Sequence, residues 1–274
     1  MMSGTIGSTV SFDGPRAALR SPSRVRIHAL EAKYELVKML RLPAFVLPTF
    51  LFPLIFYIFF GVAFGHGKVA GATTMAAYLI ATYGAFGVIG ASLFGIGAGV
   101  AIERGQGWLQ VKRATPMPLT AWFGAKLALA MLFSAVIVLG LFALGVAFGG
   151  VHFAAAVWAK LFGILILGAL PFCALGLAVG YFAGPNSAPA FVNLLYLPMA
   201  FASGLWIPIN FLPGFIQKLA LFLPPYHLGQ LALNCIGAGT GSPGGHALAL
   251  AGYTVLFLLL ATIGYRRDEG KTYG

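Results

Sequence analysis

A chain of 274 residues in which 59% of side chains are hydrophobic and only 8% charged cannot clothe a water-facing surface, since a soluble domain carries about 25% charged residues. With a mean hydropathy of +0.91, it is an integral membrane protein. Its net charge of +11 reads as membrane topology and attraction to anionic lipid, and no nucleic acid is expected as a partner.

In chain order, residues 1–23 are rich in Ser, Gly, Thr and Pro and predict a disordered cytoplasmic tail. The character then changes at "RVRIHALEAKYELVKMLRLP", where Ile27, Leu30, Tyr34, Val37 and Leu40 recur three and four residues apart. That spacing makes one apolar stripe and predicts an amphipathic helix over 24–42 lying in the inner interface. Pro43 limits its continuation. The first long apolar run starts well after this basic segment, which argues against a cleaved signal peptide.

Crossing a hydrocarbon core about 30 Å thick takes about 20 apolar residues in a helix. Six runs qualify, over 44–64, 75–101, 120–148, 155–182, 188–207 and 246–265. They are continuously apolar, which favours helices over barrel strands. The expected fold is therefore an all-α six-helix transmembrane domain over 43–267. Pro48 and Pro53 should bend the first span. Gly84, Gly87, Gly90, Gly95, Gly97 and Gly99 in the second, with Gly176, Gly180 and Gly184 in the fourth, let helices approach closely. The connection from Pro208 to Gly245 is too apolar for a free loop, and its pieces are too short to span. Over 209–236 it predicts short re-entrant or interfacial helices on the outer side, and 268–274 reads as a second cytoplasmic tail.

Orientation follows the basic residues. Arg16, Arg20, Arg24, Arg26, Lys33, Lys38, Arg41, Arg104, Lys112, Arg113, Arg266, Arg267 and Lys271 fall on one side. Lys68, Lys160 and Lys218 face them from the other. Positive charge marks the cytoplasm, so both termini are expected inside. Lys126 and Lys160 sit at span ends, where snorkelling accounts for them.

Ion-coupled carriers place ionisable residues inside spans; here Thr82, Ser92, Ser134, Asn193 and Ser203 supply only modest polarity. His66, His152, His227 and His246 lie in or beside external connections without ligand spacing, and Cys173 and Cys235 form no metal pattern. No catalytic or metal site is expected. Gly270-Lys271-Thr272 imitates the end of a phosphate-binding loop, but Tyr265 stands where that loop needs glycine. Any ATPase must be another chain.

One polar island remains, "ERGQGWLQVKRATPMP", with Glu103, Arg104, Lys112 and Arg113 between two nearly uncharged stretches. It predicts a short cytoplasmic helix over 103–114. Trp108 and Val111 would share a face with Arg104, and Leu109 would share another with Arg113. Gly105 and Gly107 weaken its start and Pro116 ends it. A plain basic loop between spans is the alternative.

The longer stretch "ERGQGWLQVKRATPMPLTAWFGAK" resembles the cytoplasmic signature of type-2 ABC exporter permeases. Glu103, Arg104, Gly107, Leu109, Thr115, Pro116 and Lys126 fall on that pattern, while Trp108 stands where the family often has threonine. "SGLWIPINFLPGFIQKLALFLPPYHLGQLAL", Ser203 to Leu233, is similar to the family's fifth span and outer re-entrant helices. The resemblance covers about residues 24–267. It implies an ABCG-like fold in a bacterial inner membrane, working as a homodimer or a heterodimer with a related permease. Two separate ATPase subunits would hold ATP and Mg, leaving no cofactor on this chain. It makes 103–113 the coupling helix, including Trp108, Val111, Lys112 and Arg113, and 24–41 a connecting helix with Glu31, Tyr34 and Lys38 near the ATPase. Cargo would pass between the second and fifth spans. Tyr83, Phe86, Leu93, Phe94, Asn193, Tyr196 and Phe201 suit a hydrophobic or amphipathic molecule, a drug or lipid, as in multidrug efflux. A lipid-linked polysaccharide exporter, an ion-coupled carrier and a non-transporting scaffold or sensor are the alternatives.

Overall fold

The computed structural model describes residues 23–41, 43–63, 65, 67–70, 73–115 and 117–269. Residues 1–22 of the tail expected over 1–23, the end of the chain from 270, His66 and Pro116 lie outside the described residues. The protein is mostly helical, with 80% of the described residues in helices.

Helix α1 (Arg24–Leu40) opens on Ser23, whose Oγ accepts the Arg26 N–H at 3.4 Å, an N-cap that satisfies one orphan donor. Its polarity is turned inside out relative to a soluble amphipathic helix. Glu35 and Met39 are buried, whereas Leu30, Tyr34 and Leu40 of the apolar stripe are exposed. A stripe facing outward is what an interfacial helix needs, and the charged side faces protein.

Helix α2 (Pro43–Phe56) runs into a π-turn, Tyr57–Val62, with Pro48 and Pro53 inside it. A short antiparallel hairpin, β1 (Lys68–Ala70) with β2 (Thr73–Thr74), leads to α3 (Met75–Ser92). Thr74 caps α3 by accepting the Ala77 N–H at 3.3 Å. The rod continues through a second π-turn, Leu93–Ala98, into α4 (Gly99–Gly105). Every residue from Ala76 to Ser92 is buried, so α3 is the axis of the bundle.

Small residues make that burial possible. A side chain at Gly87 would meet Ile137 and Pro53, at Gly90 the Tyr196 hydroxyl, and at Gly84 Leu165. Gly97 sits on Gly176, and Gly180 on Val100, so α8 (Leu170–Phe182) touches the rod almost backbone to backbone. The glycine stripes thus act as expected.

After α5 (Trp108–Arg113), α6 (Leu119–Ala147) packs along α3 and α1. Helix α7 (Ala155–Leu167) precedes α8, separated by a break at Gly168 and Ala169. Pro171 sits in the first turn of α8, where its missing N–H costs nothing. Helix α9 (Ala188–Ala202) stops because Gly204 takes φ +74°, a left-handed conformation that glycine adopts freely. A 3-10 turn (Ile209–Phe211), α10 (Gly214–Ala220) and α11 (Pro224–Cys235) follow, and α12 (Pro243–Glu269) closes the chain along α8 and α11.

Among the described residues four helices are long and apolar enough to cross a membrane: Met75–Gly105, Thr120–Ala147, Ala155–Phe182 and Pro243–Asp268. This is a multi-pass membrane protein. The first and fifth expected spans come out as shorter apolar helices, Leu47–Val62 and Ala188–Ala202. Gly204 cuts the fifth run before Ile207.

Beyond the fifth helix, α11 and the start of α12 are stitched together by polar contacts. Gln230 Oε1 accepts from the Thr240 N–H at 2.8 Å and from its hydroxyl at 3.1 Å. His227 Nδ1 and His246 Nδ1 meet at 2.9 Å, while His227 Nε2 faces the Leu221 carbonyl at 3.1 Å and His246 Nε2 the Thr240 carbonyl at 2.8 Å. Tyr226 and Tyr253 are the titratable groups packed on these rings. Among the described residues no three metal-ligating side chains converge.

Burial first, then the His246 ring, hold the His227 imidazole below its ordinary range, and the Leu221 carbonyl offsets part of this. A base whose folded value lies below its unfolded one (about 6.5) contributes stability that is complete above that pH. It is lost as pH falls through the folded value. The melting temperature of the purified protein should therefore be lower at about pH 5 than at about pH 7.5. His227→Asn should flatten that slope; an unchanged slope in the variant would place the titration elsewhere.

Candidate functional site

The charged side of α1, the end of α4 and the start of α6 meet in a buried cluster. Lys126 Nζ donates to Glu35 Oε1 at 2.8 Å and to Glu103 Oε1 at 2.9 Å. Lys38 donates to both Glu35 oxygens, at 2.8 and 2.7 Å, and also to Glu103. Trp122 Nε1 completes the Glu103 carboxylate at 3.1 Å, and Lys126 Nζ lies 5.3 Å from the Trp122 ring centroid. Local spacing explains how single helices supply pairs. Glu35 and Lys38 are three apart and Trp122 and Lys126 four apart, so each pair shares a helix face. Gly99 leaves room on the rod, with the Lys126 ammonium 4.0 Å from where its Cβ would be.

Lys126, Glu35 and Glu103 are only 2%, 4% and 7% exposed. Desolvating a charge costs several kcal/mol unless it is paired and hydrogen-bonded. Two ammonium and two carboxylate groups balance that cost. Burial pushes the Lys38 ammonium down, but Glu103 and then Glu35 push it up by more, so it stays charged above the ordinary lysine range. The snorkelling expected for Lys126 is corrected here. Its head turns into the protein because two carboxylates wait there; Lys160 is exposed.

Arg104 anchors the neighbouring corner. It donates to the Tyr181 carbonyl and, at 2.8 Å, to the Ala183 carbonyl, and it pairs with Asp268 at 3.5 Å. Those carbonyls end α8, where a cation is favoured by the helix dipole. Gly105 packs directly on Pro185.

The expected single helix over 103–114 is corrected into two pieces. Glu103 and Arg104 belong to the last turn of α4, and Gly107 at φ +76° reverses the chain before α5. Arg104 therefore does not share a face with Trp108 and Val111. Leu109 is buried and Lys112 pairs with Glu31, while Trp108 and Val111 are 54% and 56% exposed. The Arg113 side chain lies outside the described residues. Tyr34 on α1 is exposed as well. Of the residues assigned to partner contact, Trp108, Val111 and Tyr34 are the ones that present apolar surface; Glu103, Arg104, Lys38 and Glu31 hold the corner together.

A cavity of about 540 Å³ opens between α2, the second π-turn and α9. Phe94, Asn193 and Tyr196 line it, together with Phe52, Pro53 and Leu197. Tyr83, Phe86 and Leu93 do not reach it, being 2%, 1% and 0% exposed. Phe86 instead backs the wall. It stacks on Tyr196 at 4.7 Å, and its carbonyl accepts the Tyr196 hydroxyl at 2.8 Å. Phe201 stands apart, half-exposed against Trp206 at 6.3 Å. The sequence reading missed Phe52, and also Phe56 and Trp206, whose rings stack at 5.7 Å next to Phe86. Phe52 and Phe56 lie four apart in one apolar run, and this spacing was their only signal.

The family model for ABC-2 type transporters matches residues 30–236. The chain belongs to this family. It is also similar to the protein named "Putative transport permease YvfS" of Bacillus subtilis (strain 168), with 29% identity over 236 residues, covering 86% of this chain and 95% of that one. The match takes in α5, the cavity walls and all but the first part of α1.

Lys126→Met leaves two buried carboxylates facing Lys38 alone and should cost about 3–5 kcal/mol, read as a large fall in melting temperature of the detergent-purified protein. Adding Glu35→Gln restores charge balance and should recover much of the loss. A single variant as stable as the parent would show that the cluster is solvated.

Proposed function

We propose that this permease is the membrane subunit of an ATP-driven exporter in a bacterial inner membrane. Two such subunits, identical or related, would stand over two separate ATPase chains that hold ATP and Mg, with no cofactor on the permease itself. The reading takes Leu47–Val62 and Ala188–Ala202 as two further crossings, giving six, with both termini in the cytoplasm. It takes cargo to be hydrophobic or amphipathic, entering the cavity lined by Phe52, Phe94 and Tyr196.

One observation carries the coupling. Helix α5 presents Trp108 and Val111, three residues apart on one face, to solvent, and a contiguous exposed apolar patch is what marks an interaction site. Its opposite side is fixed by Leu109 and by the Lys112–Glu31 pair. An ATPase pushing on Trp108 would thus displace α1 and the end of the α3–α4 rod together. The rod carries Phe94 into the cavity, so closure of the ATPase pair would reshape the cargo site. Helices α10 and α11 would then gate release on the outer side. The apolar lining, with Asn193 as its polar group, favours a drug or lipid over a bare ion.

Trp108→Glu in the assembled transporter, reconstituted with its ATPase, should lower cargo-stimulated ATP hydrolysis and efflux at least about tenfold, the loss typical of an interface hot spot. Membrane insertion and melting temperature should stay at the parental value. Efflux that ignores ATP depletion but stops when the proton gradient is collapsed would overturn the reading in favour of a carrier.

A further inference from the structure

A second cavity, of about 520 Å³, lies between α6, α8 and α12 and shares no lining residue with the first. The two approach each other at the second π-turn, where Phe94 lines one and Ile96 the other, and at Gly99 and Lys126. Along α8 its lining runs from Leu170 to Tyr181, and along α12 from Thr254 to Tyr265. Tyr181 and Tyr265 meet edge to face at 5.7 Å, and Gly264 abuts Tyr181, so both stretches end at the same level. At 1.5 Å per residue each is about 17 Å long, which is one leaflet of a hydrocarbon core about 30 Å thick.

The lining is greasier than its residue types suggest. The Thr254 and Thr262 hydroxyls are spent on the carbonyls of Leu250 and Leu258, each at 2.8 Å. Lys126 contributes only its stem, because its ammonium is held by Glu35 and Glu103. Helix α12 packs along α8 and α11, which leaves its side toward α6 for something other than protein. At the tyrosine end the next residues are Arg266 and Arg267, both exposed, and neither forms an ion pair among the described residues. Tyrosine and arginine at one end of an apolar slot are the signature of the headgroup level.

We infer that this groove is a binding site for one anionic phospholipid of the inner leaflet, with an acyl chain between α6, α8 and α12 and its phosphate on Arg266 and Arg267. The leaflet rests on the proposed orientation; the groove, its depth and its basic end do not. The lipid is a resident wedge that holds α12 to the bundle, distinct from cargo in the other cavity.

The test uses the full transporter in vesicles of phosphatidylcholine with a trace of phosphatidylglycerol carrying a photoreactive acyl chain. Adducts should map to Thr254, Leu258 and Thr262 or to Leu177. Unlabelled phosphatidylglycerol should compete and unlabelled phosphatidylcholine should not. Arg266→Gln with Arg267→Gln, surface changes that leave the fold intact, should lower adduct yield about tenfold or more, as two headgroup contacts predict. Ala261→Phe should block the chain as well. Equal competition by both lipids would reduce the groove to ordinary bilayer contact and overturn the inference. Adducts at Phe52, Phe94 or Asn193 that vanish with ATP turnover would overturn it in favour of lipid as cargo. Crosslinking between α12 helices of two copies would overturn it in favour of a subunit interface. A carboxy-terminal tag reached only from outside would refute the proposed orientation, while the adduct map would still decide whether the groove holds lipid.

Discussion

Four charges, three of them buried, hold together the corner where α1, α4 and α6 meet. Lys126 bridges Glu35 and Glu103, and Lys38 bridges the same two acids. In a low-dielectric setting such a set is stable only when complete, because each member's desolvation is offset by the others. Three elements distant in sequence are thereby forced into one arrangement: α1, the end of α4 and the start of α6. Their positions are set by charge balance, which is directional and intolerant of slippage in a way that apolar packing between spans is not.

The rod from Met75 to Gly105 links that corner to the first cavity. Glu103 and Phe94 lie about 14 Å apart along it, separated by the end of a π-turn. A π-turn carries a wider backbone ring than an α-turn and is the compliant place in an otherwise regular helix. The rod is rigid where α3 is buried on every side and softer where Phe94 faces the cavity. Glycine contacts with α8 on the same stretch, at Gly97 and Gly176, bring backbones close without interlocking side chains. Such surfaces can slide with less loss than knobs in holes.

Membrane class, the outward stripe of α1 and the glycine contacts were all legible, because each follows from composition or from a period of three and four residues. The polar island was legible as an anomaly, though not as a shape. Its division into α4 and α5 turns on the left-handed conformation of Gly107, which a run of helix-compatible residues conceals. The role of Lys126 was misread for a physical reason. A lysine near a span end normally reaches for water, and only the fold shows two carboxylates from 23 and 91 residues away converging on it. Tyr83 and Phe86 were assigned to the cargo path by residue type; α3 is buried on all sides, so neither reaches the cavity, and only Phe86 backs its wall.

Charge and exposure are therefore separated on this surface in an instructive way. Three of the residues that carry the resemblance noted in the sequence, Glu103, Arg104 and Lys126, are turned inward, and each is already committed to a partner within the chain. Trp108, where the sequence departs from that pattern, is exposed, and so is Val111 three residues on. A buried, charge-balanced corner can be shared by permeases with different partners, since it sees none of them. An exposed tip is free to vary with whatever it touches. On the proposed reading, recognition of a particular ATPase belongs to Trp108 and Val111, and transmission of its stroke to the ion cluster behind them. Substitutions at the tip would then change which partner is accepted, while substitutions in the cluster would uncouple any partner alike.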